Sequence, residues 1–165
     1  MDLLDRLLGH DTWTTRQLLL LAQPLTDEQL DHEFDFAHQT VRRTLLHILR
    51  NMEAWTDGMA GRAIRPNPGL APEGRTVEGM LARLDAAALE LASVTRAIRD
   101  RGGWDERWRD VPEDPSTEKS YGGSTLHVIT HSMHHRAQVL DMLRRLGVEN
   151  RPEGDVLSWE HQVQP

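Results

Sequence analysis

A short stretch near the C-terminal end of this chain holds four of its nine histidines, which are His127, His131, His134 and His135. His131 and His135 are four residues apart, so on an α-helix their side chains lie on the same face, one turn apart. Two imidazoles at this spacing can bind one metal ion, for which histidine nitrogen is a common ligand. The stretch therefore predicts two ligands of a metal site, and a third ligand must come from elsewhere in the chain.

The residues around this pair place both histidines on the inner face of the predicted helix. Apolar side chains recur on the same stripe at Val128, Val139, Met142 and Leu146. Two buried imidazoles would each need a hydrogen-bond partner, and protonating both in a low-dielectric interior costs free energy. A shared metal ion satisfies both rings, and separately hydrogen-bonded histidines are the alternative. His127 shares the inner face a further turn back, whereas His134 is expected at its margin or outside.

His47 is the candidate third ligand. It lies among aliphatic residues in Leu45-Leu46-His47-Ile48-Leu49, one position away from the apolar stripe of its predicted helix. Taken alone, a histidine at the helix flank that bonds water or a carbonyl group explains this position equally well, and the pair described above favours ligation. Three histidines leave positions on a metal open for water or substrate, which is typical of catalytic sites.

Composition narrows the chemistry of such a site. The chain has no cysteine, which excludes disulfides, zinc–thiolate sites, iron–sulfur clusters and cysteine nucleophiles. Ser132, Met133 and His134 fill the turn between the paired histidines, so the His-Glu-x-x-His motif and its general base are absent. Neither a Gly-x-Ser-x-Gly elbow nor a phosphate-binding loop is found.

Charge and hydropathy limit the classes of partner that the chain is expected to bind. The net charge is -7 and acidic and basic residues are interspersed, which argues against nucleic acid as the main partner. No apolar stretch approaches the roughly 20 residues of a membrane span. The N-terminus begins acidic and lacks the pattern of a secretory signal. We therefore expect a cytoplasmic protein that binds a small molecule and neither nucleic acid nor a membrane.

Four segments carry the period of an amphipathic helix, which predicts an all-α fold in a single domain of residues 1–165. The predicted helices span about residues 2–22, 41–60, 77–101 and 124–147. Thr40 and Thr76 are the expected N-caps of the second and third helices. Thr26 opens a capping box for a short additional turn.

The segments between the helices differ in length and composition. The connection between the second and third helices has about 15 residues and could reach about 50 Å when extended, whereas a 20-residue helix is about 30 Å long. The connection is therefore long enough for a crossover that makes these two helices parallel. Residues 104–123 are expected to be irregular, with a hairpin as one interpretation. Residues 148–165 are expected to form a loosely packed C-terminal tail that contacts the rest through Trp159.

The first helix carries side chains that could approach the metal pocket, namely His10, Asp11 and Trp13. We expect a solvated helix face for His10, because a single polar residue on a helix is most often exposed. We expect a core position for Trp13.

Several segments, in order along nearly the whole chain, match the pattern of one family. They are the first helix with Trp13, then Phe34-Asp35-Phe36, Thr40-Val41-Arg42, Leu46-His47, Glu53-Ala54-Trp55 and His131-Ser132-Met133-His134-His135-Arg136-Ala137-Gln138. On these residues the chain resembles the DinB-like, or damage-inducible, superfamily of metal-binding four-helix bundles.

The resemblance implies a bundle of up-down-down-up topology with a long crossover between its second and third helices. It implies His47, His131 and His135 as ligands of a divalent ion, usually zinc or nickel, and a homodimer. Arg136 and Gln138 would support the site or the helix packing, and no catalytic residue is assigned.

Relatives with known activities are transferases and isomerases that use mycothiol or bacillithiol, whose thiolate the metal activates. The resemblance therefore implies a metal-dependent S-transferase that uses a low-molecular-weight thiol. A stress-induced dimeric metal-binding protein without turnover and a metal-dependent hydrolase are the alternatives. A polar cavity at the metal, lined from the first helix and the loops, would favour an enzyme, whereas a sealed apolar pocket would favour the binding protein.

Overall fold

The computed structural model describes residues 1–109 and 116–163, and this part of the chain is mostly helical, which confirms the all-α prediction. The helices are α1 (Leu3–Ala22), α2 (Asp27–Leu30), α3 (Val41–Met59), α4 (Val77–Asp100), α5 (Tyr121–Arg145) and α6 (Val156–Val163). Strands β1 (Arg107–Arg109) and β2 (Glu118–Ser120) pair as an antiparallel hairpin. None of the helices in the described ranges is both long and apolar enough to span a bilayer.

Hydroxyl caps begin the helices where the sequence predicted them. The side chains of Thr40 and Thr76 each accept a hydrogen bond from the backbone amide three residues further on. Thr26 and Gln29 form the predicted capping box at the start of α2. Because these bonds satisfy amides that the first helical turn leaves without a partner, each cap fixes where its helix starts.

α5 begins at Tyr121, before the predicted start at Ser124, and Ser120 is its N-cap. Gly122 lies within the first turn, although two consecutive glycines disfavour a helix. A Cβ atom at Gly122 would lie 3.1 Å from the carbonyl oxygen of Trp104, so glycine permits this close packing. The hairpin suggested within residues 104–123 is confirmed by β1 and β2, and its residues 110–115 lie outside the described ranges.

The four long helices pack around one apolar core. α1 contacts α4 and α5, and α3 contacts the same two helices. Core side chains that are wholly buried include Leu18, Leu45, Met52, Leu84 and Met142. Arg83 donates two hydrogen bonds, of 2.9 and 3.0 Å, to the carboxylate of Glu53 and so joins α4 to α3.

The segment after α5 contacts the rest of the protein through Trp159, as predicted, but the prediction that it packs loosely is wrong. The segment contains α6, and Trp159 on this helix is only 3% exposed. Its ring lies so close to Gly9 that a Cβ atom there would be 2.6 Å from a ring carbon. His10 is consequently buried rather than solvated, and its Nε2 lies 2.9 Å from the carbonyl oxygen of Gly154.

A buried ion pair joins α1 to α5. Arg136 donates from Nη1 to the carboxylate of Asp11, and both side chains are almost inaccessible to solvent. Burial raises the pKa of Asp11, and the Arg136 guanidinium opposes that rise. Arg136 therefore supports helix packing, which is one of the two roles predicted for it. Trp13 is only half-buried and is not part of the core as predicted.

Candidate metal centre

The structure brings the three predicted ligands together between α3 and α5. Nε2 of His131 lies 3.1 Å from Nε2 of His47 and 3.2 Å from Nε2 of His135. Two nitrogens that bind one ion at about 2.0–2.1 Å are separated by about 2.9–3.4 Å at octahedral or tetrahedral angles. The observed separations therefore fit a shared ion.

The packing of α3 against α5 determines where these rings point. Leu45, Ile48 and Leu49 are fully buried and fix the rotation of α3 about its axis. His47, one position from this buried stripe, is half-buried and projects towards α5. On α5 the helical repeat places two ligand rings in consecutive turns. α3 thus supplies one imidazole and α5 supplies two, and the three rings meet at the same point.

Gln138 fixes the hydrogen position on His135. Its Oε1, which can only accept a hydrogen bond, lies 2.7 Å from His135 Nδ1, so Nδ1 carries the hydrogen and Nε2 presents a lone pair to the cluster. The amide nitrogen of Gln138 in turn donates to Nε2 of His134 at 3.0 Å. An acceptor behind a ligating histidine orients the ring and raises its basicity. Gln138 therefore supports the site.

The ring of His131 cannot complete its hydrogen bonding within the cluster. His131 Nδ1 is buried and has no hydrogen-bond partner within the described residues. Its Nε2 faces two other Nε2 atoms, and a hydrogen there could be donated to only one of them. One metal ion accepts all three lone pairs at once. The donor set therefore fits a bound ion better than it fits hydrogen bonds among the rings.

Burial keeps the clustered imidazoles neutral. Desolvation is the main cause that lowers the pKa of His47 and of His131 to about 4, and the neighbouring histidines add to it. The pKa of His135 is also lowered, mainly by burial, while its hydrogen bond with Gln138 acts in the opposite direction. Neutral imidazole is the form that binds metal, so at neutral pH these rings need not lose a proton first.

A fourth imidazole, that of His38, joins the cluster from the segment before α3. Its ring centroid lies 3.9 Å from that of His47 and 5.0 Å from that of His135. One nitrogen of each of these three residues lies within 4.8 Å of the other two, a group that could hold a metal ion. The sequence interpretation missed His38 because no helical period indicates where its side chain points. Nothing in the sequence of this segment distinguishes His38 from His32, which is exposed and packs on Phe34.

An open cavity of about 620 Å³ begins at His47 and His131. Its other lining residues come from α3, β2 and the start of α5, and are Asn51, Trp55, Lys119, Ser120, Gly123, Ser124 and His127. The lining includes amide, ammonium and hydroxyl groups beside the apolar ring of Trp55, and the volume lies within the roughly 300–1,000 Å³ of small-molecule sites. No residue of α1 is among the described lining residues, so the side chains of this helix that could have approached the pocket do not form its wall.

The DinB family model matches residues 1–163. The chain belongs to the DinB family. This result confirms the resemblance inferred from the histidine motif and the helix pattern. A search of the curated proteins found no match.

The two remaining histidines of the motif lie beside the centre of this DinB-family protein, as predicted. His127 is exposed, and its ring centroid lies 4.6 Å from that of Trp55 and 5.2 Å from that of His131. His134 is exposed and is bonded to Gln138. His127 thus forms part of the cavity wall, whereas His134 stands behind the ligand group.

The donor atoms indicate which ions the centre suits. Imidazole nitrogens bind zinc, copper, nickel and iron, whereas magnesium and calcium prefer oxygen. The cluster borders the open cavity through His47 and His131, so a small molecule in the cavity could reach the same point. The arrangement can therefore place a substrate atom beside a metal ion.

Proposed function

We propose that this DinB-family protein is a divalent-metal-dependent enzyme that acts on a small molecule, with His47, His131 and His135 as metal ligands. The convergence of their Nε2 atoms, at 3.1 and 3.2 Å, on the edge of an open polar cavity supports the proposal. A structural zinc site is closed by four protein ligands, whereas a catalytic site keeps a position open. Zinc or nickel is the ion that we propose.

The reaction that we propose is S-transfer from a low-molecular-weight thiol of the bacillithiol or mycothiol type. A carbon–sulfur bond forms between the thiolate and an electrophilic carbon, whose leaving group departs with the bonding electron pair. A divalent ion in the centre would favour the thiolate by lowering the pKa of the thiol. The chain has no cysteine, so the reacting sulfur comes from a second substrate.

The cavity lining supports a polar, anionic thiol as that substrate. The Lys119 ammonium lies 4.4 Å from the ring centroid of Trp55, and both line the cavity. A carboxylate would be stabilised by this cation, while Asn51, whose Nδ2 has no hydrogen-bond partner within the described residues, offers an amide to the polar groups of the substrate. These residues would orient the thiol with its sulfur towards His47 and the other ligands.

We also propose that α1, α3, α4 and α5 form a single-domain bundle with up-down-down-up topology. The start of α1 lies beside the end of α4, the start of α3 lies beside the start of α4, and the end of α3 lies beside the start of α5. The supporting pairs are Asp2–Arg99, Arg42–Arg75 and Met59–Thr125. The long connection between α3 and α4 agrees with their parallel direction.

A homodimer in the cytoplasm is the assembly and location that we propose. Exposed apolar side chains on α1 and α5, among them Leu3, Leu126 and Met133, support self-association. Sedimentation equilibrium would measure the mass in solution, and a monomer at every concentration would contradict the dimer.

The metal test uses protein stripped with a chelator, reloaded with Zn²⁺ or Ni²⁺ and assayed by elemental analysis. About one ion per chain is expected for the wild type, and little for His47→Ala. His32→Ala is the matched control, because His32 is exposed and packs on Phe34 rather than on the cluster. Wild-type protein that stays metal-free after reloading would refute the metal centre.

The reaction test screens electrophiles with bacillithiol, mycothiol and glutathione, using the metal-loaded and the metal-free protein. A thiol-dependent rate that requires both the metal and His47 would support S-transfer. Hydrolysis without a thiol would replace the transferase with a hydrolase. Bound metal with no rate in any combination would indicate a metal-binding protein without turnover.

A further inference from the structure

His38 is the part of the cluster that the three-ligand proposal leaves without a role. Its ring stacks on that of His47 with an angle of 31° between the planes, and lies 5.0 Å from the ring of His135. The nitrogens of these three residues lie within 4.8 Å of one another. Two nitrogens on one ion can be at most about 4.2 Å apart, so the three nitrogens lie at or just beyond the separations at which they could share one ion.

The position of His38 relative to the cavity is different from that of His47 and His131. The cavity borders the cluster through His47 and His131, and His38 is not among its lining residues. His38 instead approaches the side formed by His47 and His135. A ligand from this side would leave the cavity-facing position free for substrate.

The segment that carries His38 is a turn held by its own backbone hydrogen bonds. Ala37 and Gln39, on either side of it, have φ angles of 52° and 69°, in the left-handed region that residues with a Cβ atom rarely adopt. The Phe34 amide donates to the Gln39 carbonyl at 2.7 Å, and the Gln39 amide donates to the Phe36 carbonyl at 3.0 Å. Such disfavoured backbone persists only where surrounding contacts hold it, and it is concentrated at functional sites.

Aromatic packing anchors the same turn to the core. Phe34 and Phe36 are partly buried against the core, and their ring centroids are 5.8 Å apart. Arg145 of α5 lies over the ring of Phe36, 4.9 Å from its centroid. The backbone that carries His38 is therefore tied to α5, the helix that supplies two of the ligands.

We propose that His38 is a fourth metal ligand, which the α2–α3 segment supplies on the side of the cluster away from the cavity. This inference rests on the three-histidine centre of the proposed function. The ion would then have four imidazole nitrogens, and a substrate atom from the cavity would take a fifth position, a coordination number to which zinc expands in some catalytic sites. Metal binding would also tie the turn around His38 to α3 and α5.

The test compares Co²⁺ binding to the wild type, His38→Ala and His38→Phe, with His32→Phe as the matched control. Phenylalanine keeps a ring that can stack on His47 but has no nitrogen. Both His38 variants are expected to bind Co²⁺ at least about tenfold more weakly than the wild type, with a changed visible absorption spectrum. His32→Phe, in the same segment, is expected to leave both measurements unchanged.

Different results overturn different parts of the reasoning. If His38→Phe keeps the affinity and spectrum of the wild type while His38→Ala loses them, the ring acts by stacking and the ligand proposal is wrong. If both His38 variants match the wild type while His47→Ala loses the ion, the three-histidine centre stands without His38. Wild-type protein that binds no Co²⁺ would overturn both proposals.

Hydrogen exchange gives a second measurement that needs no activity. Adding Zn²⁺ to the wild type is expected to slow amide exchange around Gln39 and Thr40, whose amides donate to Phe36 and His38 within the turn. The same addition to His38→Phe should leave this exchange unchanged while still slowing exchange near His131. Equal protection of the turn in the two proteins would contradict ligation by His38.

Discussion

Gln138 offers a direct test of how the centre is tuned, because it touches a ligand without being one. Gln138→Leu keeps a side chain of similar size on α5 but removes the oxygen that accepts from His135 Nδ1 at 2.7 Å. Without that acceptor, the ring loses both its fixed orientation and the added basicity of Nε2. His134, whose own bond to Gln138 is also lost, is exposed and can bond water instead.

Loss of a partner behind a ligating histidine typically weakens metal binding by about 10–100-fold. At about 1.4 kcal/mol per factor of ten, this corresponds to roughly 1.4–2.7 kcal/mol of binding free energy. We expect the loss of metal affinity caused by Gln138→Leu to lie in this range. Gln138→Glu should bind at least as tightly as the wild type, because a carboxylate is a stronger acceptor for the Nδ1 hydrogen.

A competition titration against a chromophoric chelator would measure the Zn²⁺ affinity of each variant at pH 7.5. Gln162→Leu, the same substitution at an exposed position of α6, is the matched control. The reasoning would be refuted if Gln138→Leu bound within twofold of the wild type, or if Gln138→Glu lost as much affinity as Gln138→Leu.

Two further predictions concern the stability of the metal-free protein. Arg136→Met should lower the free energy of unfolding by about 3–5 kcal/mol, because it leaves Asp11 buried without its partner. Urea unfolding would measure this loss, and an Asp11→Leu/Arg136→Met double variant should recover most of it. A loss below about 1 kcal/mol would contradict the prediction. The stability should also fall as the pH is lowered from about 6.5 to about 4, because unfolded histidines take up protons near 6.5 while folded His47 and His131 do so only at about 4. Urea titrations across this range should give a shallower fall for His47→Phe than for the wild type, and identical profiles would show that His47 does not contribute.

Local signals in the sequence were enough to predict most of the helices. Thr40 and Thr76 each precede an apolar period and cap the helix that follows, as predicted. The spacing of His131 and His135 was informative for the same reason, because the geometry of one helix decides which side chains share a face. The third predicted ligand needed two helices to pack in one particular rotation, which the apolar stripe of α3 indicated only approximately.

The features that were missed depend on contacts between distant parts of the chain. His10 is buried because α6 returns to α1 and brings Gly154 and Trp159 against it, and no local pattern encodes that return. His38 points into the cluster because of backbone angles at Ala37 and Gln39 that neither residue type favours. Gly122 lies in the first turn of α5, where a Cβ atom would be only 3.1 Å from the Trp104 carbonyl oxygen, a contact with a residue from before the hairpin.

The histidine cluster joins α3 to α5 through His47 and His131, which are 84 positions apart in the chain. An ion bound there would act as a removable crosslink in a protein that has no cysteine for a permanent one. The stabilisation would rise with the concentration of free ion and reach about 2.7 kcal/mol at one hundred times the Kd. The supply of that ion would then change the fraction of molecules that is unfolded at any moment, and with it the fraction that a protease could cleave.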